Sequence, residues 1–113
     1  MSSEGKGKML RIYLNETVKH GAKPLYEAIV AKAYEKGVAG SMVFRGIVGS
    51  GFCCEFCRTT VPSLSEAKCQ PMVIEFVDAG GRLDELVPVF KEMIKGGAMV
   101  MLDADIIHDV CPA

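Results

Sequence analysis

The residues best suited to chemistry are cysteines, three of which fall within positions 53–57 and a fourth at position 69. The Cys54-x-x-Cys57 spacing suits two thiolate ligands of Zn²⁺ or a redox pair that forms a reversible disulfide. Because no second C-x-x-C pair is present, a zinc site of Cys54, Cys57 and Cys69 needs a fourth ligand. Candidates for it are Cys111, His108 or a residue of a neighbouring chain.

The cluster that begins at Cys53 therefore allows three interpretations: a metal site, a redox-sensing pair, or reduced and chemically inert thiols. The N-terminal residues carry charges at Glu4, Lys6 and Lys8 and show no apolar segment of a secretory signal. We therefore expect a cytoplasmic protein, in which free, metal-bound or redox-active thiols are more common than structural disulfides.

A second candidate feature is the glycine spacing of Gly46, Gly49 and Gly51, directly after Arg45. Glycines allow backbone N–H groups to approach a phosphate closely, although this spacing matches neither a dinucleotide-binding nor a P-loop fingerprint. The alternative is that they only let a strand bend into a loop. Arg45 is the lone charge in an apolar segment, which favours contact with an anion at a subunit boundary over a side chain that only reaches the sheet edge.

No Ser/His/Asp or Cys/His arrangement is legible, and we expect no enzyme. The acidic C-terminal segment contains Asp103, Asp105, His108 and Asp109. These side chains suit a divalent cation, but a solvated acidic tail is the favoured interpretation because no turn that would hold a metal is evident.

Composition bounds the class of protein. The chain has 113 residues, enough for one domain, and its net charge of -1 argues against nucleic acid as a partner. Half of the residues are hydrophobic, yet no apolar run is long enough to span a bilayer. So small a domain leaves part of this apolar content outside its own core, which predicts a subunit interface.

Hydrophobic periodicity predicts the elements. Residues 10–14 alternate as in a strand with one buried face, and apolar residues recur at helical spacing after Pro24 and Leu83. Pro88 requires that the second helix either starts near Glu85 or bends at the proline. The predicted elements are strand 10–14, helix 24–36, strand 38–48, strand 72–77, helix 83–95 and strand 98–102.

This order predicts an α+β, ferredoxin-like β-α-β-β-α-β sandwich, an antiparallel four-stranded sheet with two helices on one face. We expect a disordered tail at 1–8, the domain at 9–103 with a long loop at 49–70, and a tail at 104–113. The uncovered sheet face is expected to pack against sister subunits in a dimer or trimer.

Four segments carry a resemblance to a known family: "KHGAKPLYEAIV" at 19–30, "GVAG" at 37–40, "FRGI" at 44–47 and "PMVIEFVD" at 71–78. Together they resemble the PII-like family catalogued as domain of unknown function 190. The resemblance implies a homotrimeric signal protein of PII-like fold. It also implies an adenine nucleotide (AMP, ADP or ATP) in clefts between subunits.

The resemblance further implies that the loop after the second strand reports the ligand to a partner protein, for which a membrane transporter or channel is a candidate. The Lys95-Gly96-Gly97 turn stands where PII-like proteins have a glycine-containing loop that faces phosphate, although glycine is also an ordinary helix stop. The resulting prediction for the ligand-binding residues is Arg45, Gly46, Gly49, Gly51, Lys95, Gly96 and Gly97.

Overall fold

The computed structural model describes residues 4–49, 51, 70–79 and 81–110. A short hairpin, β2 and β3, lies between the first long strand and the first helix. The elements are β1 (Gly5–Asn15), β2 (Lys19–His20), β3 (Lys23–Pro24), α1 (Leu25–Glu35), β4 (Gly40–Arg45), β5 (Pro71–Ala79), α2 (Arg82–Met93) and β6 (Ala98–Ile106).

The four long strands form one antiparallel sheet in the order β4-β5-β1-β6. β1 and β5 occupy the centre, and β4 and β6 are the two edges. Both helices pack against the same face, so the predicted ferredoxin-like α+β architecture is confirmed.

The core lies between the sheet and the helices. Alternate residues of β1 and β5 point into it because successive side chains of a strand face opposite sides. Phe76 of β5 stacks on Phe90 of α2, with ring centroids 5.7 Å apart. The fully buried apolar side chains are Leu10, Ile12, Leu14, Leu25, Ile29, Ala33, Met72, Ile74, Phe76, Leu83, Leu86 and Phe90.

The ends of the domain differ from the sequence-based boundaries. Residues 5–8, predicted to belong to a disordered tail, form the start of β1, and β6 continues to Ile106 rather than ending near 103. The two strands pair along this extension, where Lys6 Nζ lies 2.8 Å from Asp105 Oδ1. The pairing of β1 with β6 therefore continues into a polar segment, where opposite charges on the two strands stabilise it. This segment has no alternation of apolar and polar residues from which a strand could be predicted.

Prolines mark both helices. Pro24 caps α1 rather than forming its first turn, because its φ of −58° and ψ of 138° are extended. α2 begins at Arg82 and contains Pro88 inside it, so the alternative of a start near Glu85 is wrong. Pro88 lies on the exposed side of the helix, where a missing amide hydrogen bond is least costly.

A buried carboxylate ties together the end of the sheet farthest from Arg45. Asp78 accepts hydrogen bonds from the Ala39 N–H at 3.2 Å and from Arg82 Nη1 at 3.3 Å. Arg82 Nη1 also donates to the Gly37 carbonyl at 2.6 Å. These contacts fix the turn after α1 against β5 and the start of α2.

Among the residues described, no helix is long and apolar enough to cross a membrane.

Candidate functional site

The predicted ligand-binding residues lie at one end of the sheet. Arg45 is the last residue of β4, and the Gly46 N–H donates to the Pro71 carbonyl at 2.9 Å. Pro71 is paired with Asn15 at the end of β1, and Ala98 starts β6 beside the same end of β1. The end of β4 and the turn before β6 therefore share this end.

These residues nevertheless form two separate groups. Arg45 ends β4, one edge strand, and residues 46–49 follow it directly, whereas residues 95–97 directly precede β6, the other edge strand. The two edges are three strand spacings apart, about 14 Å. The described part of one chain thus brings the two groups to the same end of the sheet but leaves them on opposite edges.

The glycines of the β4 group have different roles. The N–H of Gly46 is committed to Pro71, and a Cβ on Gly46 would lie 3.1 Å from the Pro71 ring. This arrangement supports the interpretation that Gly46 lets the chain turn out of β4 while its backbone stays in close contact with Pro71. Gly51 has a φ of 88°, a conformation that strongly favours glycine, and Gly49 is half-buried.

The β6 group is built around Gly97. Its φ is 141°, and a Cβ there would collide with the backbone carbonyl of Tyr13. Only glycine therefore allows this turn to pack directly on β1. Lys95 and Gly96 are exposed beside it.

Arg45 is held by a carboxylate that sequence reasoning did not identify. Arg45 Nε donates to Glu16 Oε1 at 2.8 Å, and Nη2 donates to Glu16 Oε2 at 2.7 Å. The hydrogen bonds from Arg45 lower the pKa of Glu16, and Glu16 raises the pKa of Arg45 in turn. The anion predicted to lie at Arg45 is, in the isolated chain, the protein's own glutamate.

Strand register explains this pairing. Arg45 lies opposite Met72 of β5, and Met72 lies opposite Leu14 of β1. Glu16 follows Leu14 by two residues, so a side chain there starts from the same face of the sheet as Arg45. The long side chains of Glu16 and Arg45 then span the intervening strand. Only the register, once known, makes Glu16 a candidate.

The corner that carries Glu16 is closely hydrogen-bonded. The Glu16 N–H donates to the Gln70 carbonyl at 2.8 Å. Asn15 Oδ1 accepts from the backbone N–H and the hydroxyl of Thr17, at 2.9 and 2.7 Å. The exit of β1 is thereby fixed against the residue that precedes β5.

The sheet face opposite the helices is largely apolar, and no described element covers it. Exposed Met42 and Phe44 of β4 and Val100 and Leu102 of β6 lie on it, from 37% to 61% accessible. At its centre Arg11 and Glu75 are cross-strand neighbours, with Nε 3.5 Å from Oε2. The Arg11 Nε is itself buried without a hydrogen-bond partner.

Among the concavities formed by described residues, the two larger ones lie elsewhere. One, of about 550 Å³, is lined in part by the charged side chains of Lys8, Asp84 and Asp103 at the far end of the sheet. The other, of about 580 Å³, is an apolar groove between α1 and β4 that includes Tyr26 and Tyr34. Neither contains any of the predicted ligand-binding residues.

The proposed thiol chemistry lies outside the described residues. Cys53, Cys54, Cys57 and Cys69 all fall in the segment 52–69, and Cys111 also lies outside. Within the described ranges, no three His, Cys, Asp or Glu side chains are grouped so as to hold a metal ion.

Comparison with known proteins places the chain in a family. The family model of DUF190, described as "Uncharacterized ACR", matches residues 7–106. A UPF0166 protein of Aquifex aeolicus is 32% identical over 106 residues, which cover 91% of this chain and 95% of that protein. A UPF0166 protein of Methanocaldococcus jannaschii is 30% identical over 99 residues, covering 86% and 87%. The chain therefore belongs to the DUF190 family, as the sequence segments at 19–47 and 71–78 predicted.

Proposed function

We propose that this protein is a homotrimeric, PII-like signal protein that binds an adenine nucleotide between its subunits. In this proposal the segment 49–70, which begins beside the site, transmits the bound state to a partner protein. A membrane transporter or channel is the proposed class of partner. The protein binds its ligand without chemically changing it.

The observation that carries the proposal is the separation of the two predicted groups on opposite edges of one sheet. If the β4 edge of one subunit lies beside the β6 edge of the next, residues 45–51 of one chain meet residues 95–97 of its neighbour. A ring of three subunits closed by rotation repeats this junction three times. Each site is then incomplete without a second copy.

The uncovered sheet face supports the same assembly. Met42, Phe44, Val100 and Leu102 expose apolar surface that water solvates poorly, on the one face that the helices leave open. Packing these faces together around an axis buries that surface. It also brings the edges of neighbouring sheets side by side.

The residue types suit a polyphosphate. Arg45 presents a planar guanidinium that forms paired hydrogen bonds with phosphate oxygens, and Lys95 adds a second cation from the neighbouring chain. Gly51 and Gly96 have open space where a Cβ would stand, which leaves room for close approach of phosphate to the main chain. With a net charge of -1, the attraction is local to the site.

Isothermal titration calorimetry with AMP, ADP and ATP, each added to the purified protein, tests the proposal. We expect saturable heat from at least one of them. Arg45→Gln should weaken that binding about 10-fold or more, the usual effect of losing charge-assisted hydrogen bonds. Lys91→Gln, an exposed cation of α2, is the matched control and should leave affinity unchanged. No heat from any of the three nucleotides would refute the nucleotide-binding function.

A further inference from the structure

The geometry around Arg45 indicates that a side chain of the protein itself, Glu16, competes with the ligand for the Arg45 guanidinium. Both carboxylate oxygens of Glu16 face one edge of the guanidinium, at 2.8 and 2.7 Å from Nε and Nη2. Arginine uses the same edge to form two parallel hydrogen bonds with a phosphate or a carboxylate. We propose that Glu16 competes with a ligand phosphate for Arg45, and that the ligand binds by displacing Glu16 from the guanidinium.

Accessibility agrees with displacement. The Arg45 side chain is 72% exposed even while it is paired, so an incoming phosphate reaches it from solvent. The Glu16 side chain is 23% exposed and approaches from the β1 side. Exposed ion pairs are weak because water and salt screen them, so a polyphosphate with several negative charges can outcompete a single carboxylate.

Displacement of Glu16 would also connect the site to the end of the segment 49–70. The Glu16 N–H donates to the carbonyl of Gln70, the residue at which the segment 49–70 rejoins the sheet. Movement of the Glu16 side chain acts on a residue whose backbone is bonded to the end of that segment. This inference rests on the proposed function for the identity of the ligand as a nucleotide. It adds to that function a way in which binding is transmitted to the segment 49–70.

A purely structural tie between β1 and β4 is the competing explanation for the pair. In that case Glu16→Gln would lower stability and leave ligand affinity unchanged or reduced. A competitor behaves oppositely, because removing its charge leaves the Arg45 guanidinium available to the ligand. The direction of the change in affinity therefore separates the two explanations.

The experiment compares wild type, Glu16→Gln and Glu35→Gln by calorimetry with ATP and with inorganic triphosphate. Glu35 is the matched control because it is an exposed glutamate paired with a cation, Lys32 at 3.2 Å, on α1. We expect Glu16→Gln to bind both probes about twofold to fivefold more tightly than wild type, the range set by the strength of an exposed ion pair, and Glu35→Gln to bind as wild type does. Unchanged or weaker binding by Glu16→Gln would overturn the inference.

The two probes separate this inference from the nucleotide function. If triphosphate binds more tightly to Glu16→Gln but no adenine nucleotide binds to any variant, the competitor role stands and the nucleotide function fails. If ATP binds equally to wild type and Glu16→Gln, the nucleotide function stands and the competitor role fails. The NMR signal of the Arg45 Nε–H provides an independent readout and should shift when triphosphate is added to wild type. If it does not shift although triphosphate binds, the ligand does not displace Glu16 from Arg45 and the competitor role is refuted.

Discussion

Introducing a charge at Leu102 should dissociate the proposed assembly. Leu102 retains 48% of its accessible surface on the uncovered face of the sheet. Full burial of a leucine side chain contributes about 1.5–3 kcal/mol, so covering the remaining half contributes about 1 kcal/mol per chain. Leu102→Glu removes this contribution and places a carboxylate in the interface, where its desolvation costs still more.

Taking only about 2 kcal/mol per chain, three chains lose about 6 kcal/mol, which lowers the association constant by more than four powers of ten. Sedimentation velocity at micromolar concentration measures this, and circular dichroism verifies that the variant remains folded. Tyr34→Glu is the control, because Tyr34 is 85% exposed on α1, on the helical side of the sheet. We expect Leu102→Glu to sediment as a 12.2 kDa monomer while wild type and Tyr34→Glu sediment as trimers. A wild-type monomer, or Leu102→Glu that sediments with wild type, would refute the reasoning.

Three further predictions concern the fold and the site. Gly97→Ala should lower the free energy of unfolding, measured by urea titration, by about 1–3 kcal/mol because a Cβ there collides with the backbone of β1. Gly96→Ala is the control and should change this free energy little, because the space around Gly96 is open. Equal effects of the two substitutions would contradict the packing described. Asp78→Ala should lower the free energy of unfolding by about 1–3 kcal/mol in the same assay, because it leaves the Ala39 N–H without this acceptor and removes one of the two hydrogen bonds of Arg82 Nη1. A loss within error of zero would show that these bonds do not stabilise the fold. The pKa of Glu16, measured by carbon-13 NMR, should lie below its ordinary value. The pair with Arg45 therefore stabilises the protein above the unfolded-state pKa, and this stabilisation is lost as pH falls through the lowered pKa. In Arg45→Met the pKa of Glu16 should return towards 4.5, and an unchanged pKa would exclude Arg45 as the cause.

The fold was predictable because its core follows simple periodicities. Leu10, Ile12 and Leu14 alternate along β1, and Leu83, Leu86 and Phe90 recur at helical spacing along α2. Those patterns depend only on which side chains are apolar and are therefore buried in the core. The strand at residues 5–8 escaped prediction because its polar side chains have no alternation, and its order comes from pairing with β5 and β6.

The site was predictable only in part. Arg45 was predicted to meet an anion at a subunit boundary, which remains a prediction. Its partner within the chain, Glu16, is distant in sequence and is set by the register of β1, β5 and β4. Gly97 was identified through family resemblance, whereas its physical requirement, contact with the Tyr13 backbone, arises only in the folded sheet. Contacts across strands are not encoded in local spacing.

The central claim, that each ligand site is shared by two chains, is tested most directly by mixing two defective variants. Arg45→Gln weakens the β4 half and Lys95→Gln weakens the β6 half, so each variant alone should bind the adenine nucleotide found for wild type with an affinity lower by about 10-fold or more. In trimers reassembled from an equal mixture, about one quarter of the junctions pair two intact halves. Calorimetry on the mixture should therefore recover about a quarter of the wild-type sites at wild-type affinity. No recovered binding in verified mixed trimers would show that each site belongs to a single chain.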